Sequence, residues 1–190
     1  MPAKQLIIAL DPGTGSSSPT GFSVFNPHTL EIFYAANIDT RKGLLQHRIK
    51  DISDKLSATL DEIDRNFADH ELIICIEQFV MMGKGGETLQ RLIGSFMGRL
   101  PYRARLTHVQ NTKVKLFVAG HGHADKDAVG FGVLRYFEGN QESAAVIKRL
   151  QMQNEPDIID SLAIGVTGWL MQNHYEAPKK PKAKRAPKQK

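Results

Sequence analysis

The sequence predicts a mixed α/β fold, a five-stranded sheet with flanking helices. Three observations predict it. Three short strand-like runs follow one another near the N-terminus with only loops and turns between them. Helix-like and strand-like segments then alternate. The run Leu72-Ile73-Ile74-Cys75-Ile76 is apolar without a break, as expected of a central strand buried on both faces. A hairpin edge followed by helical crossovers makes the sheet mixed.

The elements follow in order. Gln5–Leu10 is a buried strand ending in the loop Asp11-Pro12-Gly13-Thr14-Gly15, which small polar residues extend to Thr20. Gly21–Asn26 and Glu31–Ile38 are strands joined by a turn at Asn26-Pro27-His28. From Leu44 to Phe67 the residues Leu45, Ile49, Ile52, Leu56, Leu60 and Ile63 recur every three or four positions, the period of a helix with one apolar face. After the central strand, Glu87–Arg99 is a second helix with Leu89, Leu92, Ile93 and Phe96 inward. Leu106–Val109 is the fifth strand. Thr112–Val118 and Lys126–Tyr136 are helices around the loop Gly120-His121-Gly122-His123. Asn154-Glu155-Pro156 opens the last helix, Ile158–Asn173, with proline in its favoured place at the start.

A chain of 190 residues suits one domain with a sizeable core. No apolar run is long enough to span a bilayer, and the opening Met-Pro-Ala-Lys-Gln lacks the apolar core of a signal peptide. A membrane-free, cytoplasmic protein is expected. One cysteine, Cys75, allows neither an internal disulfide nor a multi-cysteine zinc site; within its apolar run it reads as a small hydrophobe. The net charge of +5 is unevenly placed. Residues 177–190 hold seven Lys or Arg and no acid, which leaves 18 basic against 20 acidic residues elsewhere. The expected organisation is a folded domain over 1–175 and a basic disordered tail over 176–190. Such a tail has too little apolar surface to fold and suits attachment to a polyanion.

Chemistry is suggested by where the acids stand. Asp11 and Glu77 each follow the last apolar residue of a buried strand. A carboxylate there is costly unless it is paired or binds a metal. Asp157 and Asp160, three apart, share one face at the start of the last helix. Each acid alone has an ordinary explanation: a turn former, a partner for an arginine, a helix N-terminal acid. Together, four carboxylates from three elements suit Mg²⁺, with Mn²⁺ as a substitute, rather than zinc or copper. Two such ions, roughly 3.5–4 Å apart, activate water and stabilise the leaving oxygen of a phosphodiester.

At these residues the chain resembles a family. Ile8-Ala9-Leu10-Asp11-Pro12-Gly13-Thr14 with Thr20-Gly21-Phe22-Ser23-Val24 resembles the first-strand motif of the RuvC-type Holliday-junction resolvases, of the RNase H-like superfamily. Ile76-Glu77-Gln78-Phe79 resembles their second acidic motif, and Asp157-Ile158-Ile159-Asp160-Ser161-Leu162-Ala163-Ile164-Gly165 their closing motif. Val114–Gly120 and Ala124–Val129 resemble the basic segment between them. The match runs in order over about residues 5–172, and the compact, tailed form is compatible with a phage variant. The resemblance implies an RNase H-like fold, a homodimer, and paired metal-dependent nicks in four-way DNA junctions. It implies a bacterial cell or a phage-infected host as the setting. Carried over by position, Asp11, Glu77, Asp157 and Asp160 are metal ligands, with two ions per site, and Lys126 joins them in catalysis. Lys115 is a DNA contact, and Lys84, Lys113 and Phe79 are further candidates. Phe79 stands one residue earlier than the family's usual aromatic, where this chain has Val80.

Other readings stay open beside this one. Related nucleases cut other branched DNA or RNA/DNA hybrids, and a nuclease fold can persist as a binding module. An Asp-x-Gly-Thr turn also occurs in actin-like phosphotransferases, but this chain is short for their two halves. Gly83-Lys84-Gly85-Gly86 lacks the spacing of a P-loop. His121 and His123 read as solvated loop residues. No helicase partner can be named from the sequence.

Overall fold

The computed structural model describes residues 4–13, 19–39, 43–78, 84–173 and 175, and their side chains except at positions 45 and 84–89. The serines after Asp11, Phe79 and the expected tail at 176–190 lie outside the described residues. The order of elements is β1 (Gln5–Asp11), β2 (Thr20–Phe25), β3 (Ile32–Ile38), α1 (Leu45–Asn66), β4 (Glu71–Glu77), α2 (Lys84–Met97), β5 (Ala104–Val109), α3 (Asn111–Ala119), α4 (Lys126–Phe137), α5 (Gln141–Met152) and α6 (Pro156–Gln172). The sheet runs β3-β2-β1-β4-β5. β1 pairs antiparallel with β2, and β2 with β3, while β1–β4 and β4–β5 are parallel.

Side-chain alternation along β1 and β4 sets up two cores, because successive residues point to opposite faces. Leu6, Ile8, Leu10, Leu72, Ile74 and Ile76 pack with Ile52, Leu56, Leu60 and Ile63 of α1 and with Leu92 and Phe96 of α2. Ile7, Ala9, Ile73 and Cys75 belong to the other core, with α6 and residues of α3, α4 and α5. The same alternation carries Asp11 and Glu77, the odd-numbered residues that end these strands, to the α6 side.

α6 lies directly on the sheet, and from Ile158 to Trp169 only Asp160 is not fully buried. The contact is close because glycines face the strands. A Cβ on Gly165 would stand 3.0 Å from the Ala9 Cβ and 2.7 Å from Phe25; one on Gly168 would meet the Cys75 Sγ at 2.3 Å. Cys75 therefore serves as the small, buried residue expected, and burial pushes its thiol up to about 12. Thr20 closes the β1–β2 loop: its hydroxyl donates to the Gly13 carbonyl at 2.8 Å and accepts the Gly13 N–H at 3.2 Å. Arg103, just before β5, closes the end of α1. Its guanidinium donates to the Asp64 carboxylate and to the carbonyls of Asp64, Phe67, Ala68 and His70.

One element was not foreseen. The stretch after Phe137 forms α5, whose buried face is Ser143, Ala144, Ile147 and Leu150. Two of these four are small, so the apolar stripe is thin in the sequence. The start signal was there: the Asn140 side chain accepts the Ser143 N–H at 3.0 Å, an ordinary N-cap. Among the described residues no helix is long and apolar enough to cross a membrane.

The glycine contact makes a measurable pair. Gly168→Ala should lower stability by about 1–3 kcal/mol through overpacking. Combined with Cys75→Ala, which removes the atom in the way, the total loss should fall short of the sum of the two single losses. Urea unfolding of the four proteins measures this; strictly additive losses would show that the two residues do not press on each other.

Candidate functional site

Register brings the first two acids together. The β1–β4 pairing ends at Leu10↔Ile76, so Asp11 and Glu77 are the next residues on adjacent parallel strands. Across the antiparallel pair, Asp11 faces Gly21. A Cβ on Gly21 would lie 1.9 Å from the Asp157 carbonyl oxygen. Only a residue without a side chain lets the first turn of α6 sit against β2 here, and that turn carries Asp157 and Asp160. Two polar contacts fix it. The Ser161 hydroxyl is 3.0 Å from the Ser23 hydroxyl, and the Asn37 amide donates to the Glu155 carboxylate. Asn37 faces Gly21 on the next strand, so one row across the sheet holds Asp11, Gly21 and Asn37.

Asp11, Glu77, Asp157 and Asp160 line one cleft of about 260 Å³ with Asn111, Lys115, Asp125 and Lys126, over a floor that includes Val114, Val129 and Ile164. Lys126 Nζ stands 3.3 Å from Asp160 Oδ2. Asp125 sets the direction of that lysine: its side chain caps α4 by accepting the Ala128 N–H at 2.8 Å, which makes Lys126 the first helical residue. Asn111 donates to Glu77 Oε1 at 3.0 Å. Of the other residues singled out in the sequence, Lys113 is exposed on α3 and does not line the cleft. Phe79 and the side chain of Lys84 lie outside the described residues. His121 and His123 are exposed and stand apart from it.

Asn111 was not singled out in the sequence. Its signal was indirect: it begins the helix that follows β5, and Glu77 faces Val109 in the β4–β5 register. Knowing the strand order would have placed it beside Glu77. Asp125 lies within the motif Ala124–Val129, and an aspartate just before a helix is a favoured N-cap.

The charges crowd one another. Asp11 is pushed up to about 7, chiefly by burial and then by the negative charges of Asp160, Glu77 and Asp157, with Lys126 acting in the opposite direction. Burial also raises Glu77, which the Asn111 hydrogen bond partly offsets, and Asp160 adds to the rise. Asp157 is raised by burial, with Lys126 opposing. The neighbouring carboxylate of Asp160 holds Lys126 above its ordinary value. Among the described residues, no three acidic, histidine or cysteine side chains already stand as a ready metal-ligand group. The chemistry of the donors nonetheless fits a hard divalent cation: four carboxylates, all oxygen, short of positive charge.

No family model matches the chain, and no curated protein matches it. Solved structures do. The RuvC structure of Thermus thermophilus is similar with a TM-score of 0.61 and 18% identity, covering 92% of this chain and all of that one. T. thermophilus RuvC in complex with a Holliday junction substrate gives a TM-score of 0.60 and 15% identity, covering 92% and 99%. Among the described residues, the mixed five-stranded sheet with six helices has the RuvC-like, RNase H-like fold that the motifs implied.

Asp11 gives stability a pH dependence. Its carboxyl ordinarily titrates at 3.8, and in the folded chain at about 7, so between these values the folded state keeps a proton that the unfolded state loses. Stability then falls as pH rises through that window. Asp11→Asn should therefore stabilise the metal-free protein at pH 8, by on the order of a few kcal/mol, and have little effect near pH 3.5. Urea titrations across pH measure this. A variant less stable than wild type at pH 8 would contradict the crowding argument.

Proposed function

We propose that the protein is a structure-selective endonuclease that resolves four-way DNA junctions by paired, metal-dependent phosphodiester hydrolysis. The observation that carries this reading is the convergence of Asp11, Glu77, Asp157 and Asp160, from three separated parts of the chain, on one cleft with Lys126 and Lys115. The RuvC-like fold supports it, as does a similar structure's being a complex with a Holliday junction.

In this reading the four carboxylates hold divalent cations, Mg²⁺ or Mn²⁺, two to a site. Bound there, the ions supply an activated water and neutralise charge that builds on the phosphodiester. The chain's own groups do the rest. Lys126 exchanges part of its contact with Asp160 for a non-bridging phosphate oxygen and stabilises the charge that grows on it. Lys115, on the wall of the cleft, holds the phosphate or the next one along. Asn111 keeps Glu77 in one rotamer, so its carboxylate need not be ordered when the substrate arrives. Water attacks phosphorus, the bond to the leaving ester oxygen breaks, and that oxygen takes up a proton. Two copies of the chain related by a two-fold axis would meet two symmetric strands of a junction, which is the reason to expect a homodimer.

The basic tail at 176–190 supplies general attraction that the folded part lacks, since residues 1–176 carry more acidic than basic side chains. Attraction of this kind depends steeply on salt.

Cleavage of an end-labelled four-way junction, with linear duplex, flap and RNA/DNA hybrid controls, tests the function. Expected are symmetric paired nicks that need Mg²⁺ or Mn²⁺, fall at least a hundredfold in Asp11→Asn, and leave duplex intact. Mg²⁺ should also raise the Tm of the wild type more than that of Asp11→Asn. Cutting of flaps or hybrids alone would move the substrate and keep the site; no cutting and no metal-dependent Tm would end the nuclease reading. Separately, removing residues 177–190 should weaken DNA binding and flatten its dependence on salt while cleavage at low salt persists. Unchanged salt dependence would take the tail out of DNA attachment.

A further inference from the structure

A second cavity of about 260 Å³ opens next to the cleft, on the other side of the Lys126–Asp160 pair, which lines both. It is built by the helix the sequence did not announce, between α4, the end of α5 and the start of α6. We propose that this cavity receives a nucleobase flanking the cut phosphate and favours one that carries an exocyclic amino group. The proposal rests on the nuclease reading above, and it names a specificity site for it.

Four features carry it. The first is position. Successive nucleotides of a strand are only a few ångströms apart, so a phosphate at Lys126 leaves its neighbour over this cavity. The second is charge. Asp127, Glu155 and Asp160 line it against one lysine, Lys126, an environment that repels phosphate and suits a neutral base with hydrogen-bond donors. The third is the polar groups. Gln151 and Asn154 supply amides, the side chains whose paired donor and acceptor match the edge of adenine, and carboxylates accept from the amino group of cytosine. Thymine has no such amino group. The fourth is shape: Leu150, Pro156 and Ile159 give the cavity apolar wall against which the face of a base can pack.

The fold also makes room for the amide. A Cβ on Gly130 would lie 2.9 Å from Gln151 Nε2, so Gln151 lies across a residue of α4 that has no side chain to displace it. Asn154 ends α5 in the left-handed region, at φ 56°, a conformation asparagine tolerates well. Its N–H donates to the Gln151 carbonyl at 3.2 Å, and the next N–H, of Glu155, to the Leu150 carbonyl at 3.1 Å. The segment that carries both amides is thus pinned to α5 rather than left as an open loop. A base must leave its stack to enter, which is cheapest where pairing is already interrupted, as at a branch point.

The test uses four-way junctions with A, C, G or T at each of the two positions flanking the cut. Wild type should cut junctions with adenine, cytosine or guanine at one of these positions about tenfold faster than those with thymine, the scale of one well-made base contact. With 2-aminopurine at that position, binding in EDTA should raise its fluorescence as the base unstacks. Gln151→Leu and Gly130→Ala should each bring the rate ratio to within about twofold, with the Mg²⁺-dependent rise in Tm unchanged. Gly130→Ala moves only the far end of a flexible side chain, so it guards against a folding defect in the other variant. Equal cutting of all four bases by wild type, or a preference that survives in both variants, overturns the proposal and leaves the nuclease standing. A protein that neither binds nor cuts branched DNA takes both readings down.

Discussion

The structure depends on how closely α6 approaches the sheet. A helix normally stands off a sheet by the thickness of its side chains. Here glycines at 165 and 168 face Ala9 and Cys75, and Gly21 on β2 admits the backbone of Asp157 itself. The contact leaves α6 buried along its length, and it allows α3, α4 and α5 to be laid over it as an outer layer. It also determines the site. The acids of α6 reach the strand-end acids because nothing larger than a hydrogen stands between the helix start and β2.

That closeness has an electrostatic cost. Four carboxylates are brought to one cleft, and the most enclosed, Asp11, is the most displaced from its ordinary titration. The fold accepts the repulsion and answers it locally: with Lys126 against Asp160, Asn111 against Glu77, and α6's own N-terminal dipole beneath Asp157. Each answer is partial. An arrangement stable in itself would have paired the acids fully and left nothing to attract a cation. The surplus of negative charge is thus the property of the cleft that matters, and the outer layer of helices exists in part to hold it in place.

Much of this was legible in the sequence. All five strands, and α1, α2, α3, α4 and α6, could be located because each carries a clear period or an unbroken apolar run. Asp11 and Glu77 announced themselves by interrupting such runs, and Asp157 and Asp160 by their spacing after Pro156. The ends of β1 and β4 were underestimated by a residue, since Asp11, Glu71 and Glu77 pair in the sheet although their side chains are polar, while Asn26 and Glu31, expected in β2 and β3, lie just outside them. α5 was hidden because small residues form its buried face. Asn111 and Gln151 were hidden for a different reason. Their meaning comes from a neighbour far away in the chain, Glu77 in one case and Gly130 in the other, and no local pattern records such a pairing.

The strand order has a consequence for how the chain comes to be folded. β1 finds β2 within a few residues of its end, but its other edge waits for β4, and Gln5 pairs with Glu71. One face then waits for α6, which begins at Pro156. Contacts this distant in sequence are slow to form, because a long loop must close before any contact rewards it. On the ribosome, an apolar strand therefore emerges early with an unpaired edge, the kind of segment that associates wrongly unless it is shielded. The cleft itself cannot assemble until residue 160 is free to reach residue 11. A chain cut short at any point before that carries no assembled cleft.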